Sequence, residues 1–206
     1  MALTLEQGTG QQFLLSFEGK DRLPQELLEV LRRQHVGGVV LFRHKNIGSL
    51  AEVRNLTRAL QKAARQTGQP GLLIAADQEG GQLMALGHGT PFPGNMALGA
   101  TGSESLAYKV GRALAVELAA AGINVDFAPV CDVNVNPENP VIGTRSFGAD
   151  PKLVARLASA MIRGLQSAGV AATAKHFPGH GDTSTDSHHQ APLVNHDRKR
   201  IHAVEL

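Results

Sequence analysis

Val170-Ala171-Ala172-Thr173-Ala174, followed at once by Lys175-His176-Phe177-Pro178-Gly179-His180-Gly181-Asp182, is the stretch on which the reading of this chain turns. Residues 170–174 form a short run of small, mostly apolar side chains, and Lys175-His176 ends it abruptly. Pro178, Gly179 and Gly181 then interrupt any regular helix or central strand, so a loop follows. Titratable groups gathered on a loop straight after a buried strand are where function usually sits.

The same arrangement recurs upstream. Residues 72–76 form an apolar run that ends in Asp77. Residues 123–130 form another, which ends at Asp132 and continues through Asn134-Val135-Asn136-Pro137 toward Arg145. Two earlier runs, residues 12–17 and 38–42, complete a set of five. Between them lie segments of helical period. Pro24 opens one that places Leu27, Leu28 and Leu31 on one face. Ser49 and Glu52 form a capping box ahead of Val53, Leu56, Ala59, Leu60 and Ala63. Ser103 caps a segment with Leu106, Val110, Leu114 and Leu118, and residues 151–168 make another helix. The glycine-rich stretch 80–99 reads as a long loop.

Strand-like runs alternating with helices predict βαβ units around a buried parallel sheet. No G-x-G-x-x-G turn joins a strand to a helix, so a dinucleotide-binding doubly wound sheet is disfavoured. Chemistry placed after three strand ends favours an α/β (β/α)8 TIM barrel. Five βα units are countable, about three short of a full barrel. The chain is therefore expected to be a single catalytic domain over residues 1–206, incomplete at its C-terminus, with sheet edges and apolar helix faces left open.

Composition narrows the class. With 42% hydrophobic residues and a formal net charge of only +2, a folded core is expected and disorder is not. Lys and Arg number 20 against 18 Asp and Glu, so nothing points to nucleic acid or an anionic membrane as partner. There is no Trp and one Tyr, which leaves few platforms for stacking bases. A single cysteine, Cys131, excludes an internal disulfide framework and reads as a packed thiol. Residues 1–12 lack the basic and apolar regions of a secretory signal, and no apolar run is long enough to span a bilayer. A cytoplasmic protein is expected.

Residues 175–189 hold four of the nine histidines together with Asp182 and Asp186. Two chemistries are open. Asp186 and His188 could form an acid/base pair, with the carboxylate fixing the imidazole tautomer and the other ring nitrogen passing a proton. Alternatively His176, His180, Asp182, Asp186, His188 and His189 could supply ligands to a divalent metal, although their spacing follows no standard metal motif. Asp77, at a strand end and followed by glycines, suits a ligand hydroxyl approaching the backbone. Arg145 offers a planar fork of donors for a carboxylate or carbonyl.

Taken together, Asp77-Gln78-Glu79-Gly80-Gly81, the stretch 124–137 with Val141-Ile142-Gly143-Thr144-Arg145-Ser146-Phe147-Gly148, and Lys175-His176-Phe177-Pro178-Gly179-His180-Gly181-Asp182-Thr183 with Asp186-Ser187-His188 resemble glycoside hydrolase family 3. They are most similar to its bacterial β-N-acetylglucosaminidases of peptidoglycan recycling, and the likeness runs over residues 13–206. The resemblance implies a (β/α)8 barrel and retaining hydrolysis of a terminal β-linked N-acetylglucosamine through a glycosyl-enzyme. It implies His188 as general acid/base oriented by Asp186, and Asp77, Arg145, Lys175 and His176 as sugar ligands. An amino-sugar glycoside is the implied substrate, and no metal or organic cofactor is implied. The chain departs from the pattern at Gln82-Leu83-Met84-Ala85, where such enzymes generally carry arginines. The family's nucleophile, an aspartate at a later strand end, is expected beyond Leu206. A metal-dependent hydrolase and a non-catalytic sugar-binding half-barrel are the rival readings.

Two outcomes are expected on these grounds. Hydrolysis by the natural protein should be indifferent to EDTA, whereas the metal reading requires its loss. The 206 residues alone should show negligible turnover, and a burst of glycosyl-enzyme from them would overturn that expectation.

Overall fold

Polar caps and apolar runs set the elements in the computed structural model, which describes residues 3–206. Thr4 and Gln7 exchange side-chain and backbone hydrogen bonds and so open α1 (Leu5–Gly10). There follow β1 (Leu14–Ser16), α2 (Gln25–Gln34) with Pro24 at its cap, and β2 (Gly38–Val40). The Ser49–Glu52 capping box starts α3 (Leu50–Gln66), which leads to β3 (Leu73–Ala76). A hairpin of β4 (Gln78–Gly80) and β5 (Leu83–Met84) comes next, then α4 (Asn95–Thr101) and α5 (Glu104–Ala121), capped by Ser103. The order closes with β6 (Val125–Asp126), a 3-10 turn at Gly143–Arg145, α6 (Pro151–Ser167) capped by Asp150, β7 (Ala171–Ala172) and α7 (Arg198–Val204).

The main sheet runs β1-β2-β3-β6-β7 and every neighbouring pair is parallel. Spatial order follows chain order, each step crossing over through helices. A doubly wound sheet would reverse direction at a switch point. This arrangement is instead that of successive units of a (β/α)8 barrel, and it delivers the ends of β3, β6 and β7 side by side.

The core lies where the sheet meets the helices. Val39, Ile74 and Ala76 are buried, as are Leu31, Leu56, Leu60, Leu114, Leu118 and Leu165 from the helices. α5 and α6 pack at close range because Gly164 presents no side chain: a Cβ there would stand 2.2 Å from the Tyr108 carbonyl oxygen. The open side of β1 carries an apolar groove of about 640 Å³ lined by Leu5, Phe13, Leu15, Val30 and Val36. Among the described residues no helix is long and apolar enough to cross a membrane.

Three expectations need correction. The stretch 80–99 is not one loop, since it finishes the β4–β5 hairpin and begins α4. The fourth and fifth apolar runs are mostly not ladder: only Val125–Asp126 and Ala171–Ala172 pair, with one further bridge between Val130 and Lys175. Pro129 lacks the N–H that a continued ladder requires. Leu106, counted on the buried face of α5, is 43% exposed, because it lies in the first turn ahead of the buried Leu114 and Leu118.

The α5–α6 contact yields a stability prediction. Gly164→Ala should lower the unfolding free energy by about 1–3 kcal/mol, the usual cost of overpacking. A thermal melt checks this, and an unchanged midpoint would show that the helices part freely.

Candidate active site

The site begins at the end of β3, where the Gln78 backbone N–H donates to Asp126 Oδ1 at 3.0 Å. That bond joins β3 and β6 just past their last ladder pair, Ala76 with Asp126. Gly80 and Gly81 then take φ of 83° and 61°, left-handed values that glycine adopts at little cost. The resulting hairpin turns the Glu79 carboxylate inward, where its side chain is 2% exposed.

Two cations from other strand ends meet that carboxylate. Arg145, on the 3-10 turn, donates Nε to Glu79 Oε2 and Nη2 to Oε1, both at 2.9 Å. Lys175 Nζ lies 2.6 Å from Glu79 Oε1 and 2.6 Å from Asp77 Oδ1. Burial works to raise the Glu79 carboxyl pKa, but the hydrogen bonds and charges of Arg145 and Lys175 outweigh it and hold it below its ordinary value. Asp126, wholly buried beneath, has no such cation bond, and burial pushes its carboxyl up to about 8. Burial thus favours its uncharged form beneath the network.

A second buried carboxylate, Asp132, organises the histidine loop. Its Oδ2 holds His176 Nδ1 at 2.6 Å, and its Oδ1 accepts the His180 backbone N–H at 2.6 Å. Burial pushes its pKa up, while His176 and the backbone N–H groups of His180 and His176 pull it down further, to below the ordinary value. His176 Nε2 faces Arg145 Nη2 at 3.5 Å, which joins the two clusters. A cavity of about 420 Å³ opens beside His176 and His180 and reaches Ser187 and Asp182. A smaller one, about 370 Å³, is lined by Arg145 with Gly80, Gly81, Gln82 and Thr144.

Further along the loop, Asp186 Oδ1 holds His188 Nδ1 at 2.7 Å and the His188 backbone N–H at 2.8 Å. Those two donors hold the Asp186 carboxyl below its usual value. The His188 side chain is 79% exposed, so its Nε2 is open to a ligand. His180 Nε2 lies 3.3 Å from Ser187 Oγ and ties this pair back to the Asp132 cluster.

Residues 4–206 match the family described as the N-terminal domain of glycosyl hydrolase family 3. The chain belongs to this family. Beta-hexosaminidase A of Pseudoalteromonas piscicida is 43% identical to it, an alignment that covers 99% of this chain and 38% of the relative. The structure of a family 3 β-N-acetylglucosaminidase from Paenibacillus sp. str. FPU-7 superposes with a TM-score of 0.95 at 48% identity, over 99% of this chain and 39% of that one. NagZ of Neisseria gonorrhoeae, in complex with N-trifluoroacetyl-D-glucosamine, gives a TM-score of 0.84 at 34% identity, with 93% and 57% covered. The chain thus spans between about two-fifths and three-fifths of the proteins it resembles.

In this family 3 domain, four of the six residues singled out from the sequence lie in one network: Asp77, Arg145, Lys175 and His176. Asp186 and His188 form a pair of their own on the same loop as His176. Five of the six residues weighed as metal ligands are taken up elsewhere: the His176 ring by Asp132, the His180 ring by Thr183 and Ser187, His188 by Asp186, and Asp182 by His196, while His189 makes no side-chain bond to any of them. Among the described residues no three His, Cys, Asp or Glu side chains converge on one point that could hold a metal. Cys131 is half-buried and burial pushes its thiol up to about 11, in keeping with a packed thiol.

Glu79, Asp126 and Asp132 are absent from the sequence-derived list, yet they hold the network together. Alternation along an extended segment puts Asp77 and Glu79 on one face, a readable signal. Asp126, an acid inside an apolar run, was another.

Glu79→Gln should destabilise the domain by about 3–5 kcal/mol, because buried Arg145 loses the carboxylate it is bonded to and Lys175 loses one of its two. The pH dependence has a definite sign. A depressed carboxyl pKa contributes stability above the unfolded value of 4.5 that is lost as pH falls through the folded value. Melts below pH 4.5 should accordingly fall less steeply in Glu79→Gln than in the parent, and equal slopes would refute the assignment.

Proposed function

We propose that this chain supplies the acid/base pair and the sugar-binding wall of a retaining exo-β-N-acetylglucosaminidase that hydrolyses terminal β-linked N-acetylglucosamine from peptidoglycan fragments in the cytoplasm. The observation that carries the reading is the Asp186–His188 bond, which occupies Nδ1 and leaves the exposed Nε2 for proton transfer. Support also comes from the relatives named as hexosaminidases and from the amino-sugar bound to the gonococcal protein.

The chemistry follows from the donors left over. Lys175 gives two of its three N–H bonds to carboxylates, and Arg145 gives two of its five to Glu79 and one to the Val141 carbonyl. The remaining N–H groups are directed to sugar hydroxyls, while Asp77 Oδ2 accepts from one. His176, held at Nδ1 by Asp132, presents Nε2 as an acceptor. His188 protonates the glycosidic oxygen as the bond to the aglycone breaks. It then takes a proton from the water that hydrolyses the glycosyl-enzyme. The attacking carboxylate of this reaction is assigned to an aspartate outside these 206 residues.

The test uses the protein as its own cell makes it, with N,N′-diacetylchitobiose as substrate and proton NMR to follow the anomer formed first. The expected product is the β-anomer, and His188→Ala should lower kcat by about 10²–10⁴-fold, the usual contribution of a positioned acid/base. Initial release of the α-anomer, or full activity in His188→Ala, would overturn the mechanism. Binding of N-acetylglucosamine with no turnover would favour a sugar-binding module instead.

A further inference from the structure

We propose that Asp182, His196 and Arg200 form a clasp that fixes the base of the loop carrying Asp186 and His188, and so positions His188 for proton transfer. The proposal rests on the assignment of that pair as acid/base and adds the residues that hold it in place.

The near end of the loop is fixed to the sheet side of the domain. Asp132 takes the His180 N–H, and Asn139 Nδ2 donates to the carbonyls of His180 and Thr183 at 2.8 and 3.0 Å. Asn136 Nδ2 donates to the Thr183 carbonyl as well, at 3.0 Å. Beyond Thr183 the character changes. The bonds at Asp186, His188, His189 and Gln190 are local to the loop, and residues 184–195 are exposed or half-buried throughout. Among the described residues, the His180–Ser187 contact is the one hydrogen bond that ties their side chains back.

The far end is held by one carboxylate. Asp182 Oδ2 receives His196 Nε2, and Arg200 Nη2 reaches the same oxygen at 3.4 Å. His196 lies fourteen positions beyond Asp182, so this contact closes a ring around the acid/base pair. Arg200 is itself set by its surroundings. Its backbone N–H is capped by Asp197 at 2.7 Å, and its second arm bonds Glu205 Oε1 at 3.1 Å, where the glutamate side chain is 6% exposed. The clasp therefore joins α7 to the fixed end of the loop across the cavity that both line. A proton donor misplaced by an ångström loses most of its advantage, which is why the ends of so sparsely bonded a loop bear on His188.

A merely structural role would weaken sugar binding and catalysis together, whereas a clasp should affect only the proton-transfer step. In the protein as its own cell makes it, His196→Ala should lower kcat on N,N′-diacetylchitobiose by about tenfold or more. The dissociation constant for N-acetylglucosamine should stay unchanged, because Asp77, Arg145, Lys175 and His176 are untouched. Amide hydrogen exchange across residues 184–195 should quicken. His196→Gln, which keeps an N–H donor near the Nε2 position, should restore most of the rate. Unchanged kcat and exchange in His196→Ala, or equal losses of binding and kcat, would overturn the clasp. So would a Gln variant no better than Ala. If His188→Ala is fully active the acid/base reading fails separately, and the exchange rates still decide whether the clasp holds the loop.

Discussion

The Glu79 carboxylate, almost wholly removed from water and bound to two cations at once, is the interaction on which the rest of the site is built. Burying an anion alone is prohibitive, and burying a guanidinium or an ammonium alone is no better. The three are tolerable only together, with the Arg145 fork satisfying both oxygens and Lys175 shared with Asp77. That requirement fixes the relative positions of three loops. Ladder bonding is sparse there, with the β4–β5 hairpin around Glu79 and one bridge between Val130 and Lys175, since the main-sheet strands beneath are only two to four residues long.

Two kinds of histidine result. His176 is caught between Asp132 and Arg145 with its tautomer set on both sides, which suits recognition. His188 has its carboxylate partner but stands in solvent, which suits exchange of a proton. Asp132 connects the two environments, for it holds His176 by the ring and the start of the outer loop by a backbone N–H. Asp126, pushed by burial toward its uncharged form, lies beneath the two carboxylates and two cations of the network.

Much of this was legible in the sequence, for reasons that differ by element. Caps announce themselves locally: Ser49 with Glu52, Ser103, Asp150 before Pro151, and Asp197 all stand where helices start. The alternation of apolar runs and helices gave the parallel sheet, and polar residues after the runs gave Asp77, Arg145, Lys175 and His176. What escaped was tertiary. The β4–β5 hairpin depends on the Gln78 N–H finding Asp126 48 positions away, and no local pattern announces that bond. Alternation could mark Glu79, but not its partners, both of which lie more than sixty residues on. Thr4 with Gln7, by contrast, is a capping box that the sequence did display.

The sequence separations within the ion network also order events in time. Asp77 and Lys175 are 98 residues apart, and Glu79 and Arg145 are 66 apart. During synthesis the acidic hairpin leaves the ribosome first, then Arg145, and Lys175 last of the four. Until then the nascent chain carries carboxylates that burial would penalise, so the hairpin has reason to stay hydrated and open. Closure of these long loops is entropically slow, and the compensating charges reward it only at the end. The ion network is thus a late event of folding, completed by the same five residues, 170–174, that carry Lys175 into place.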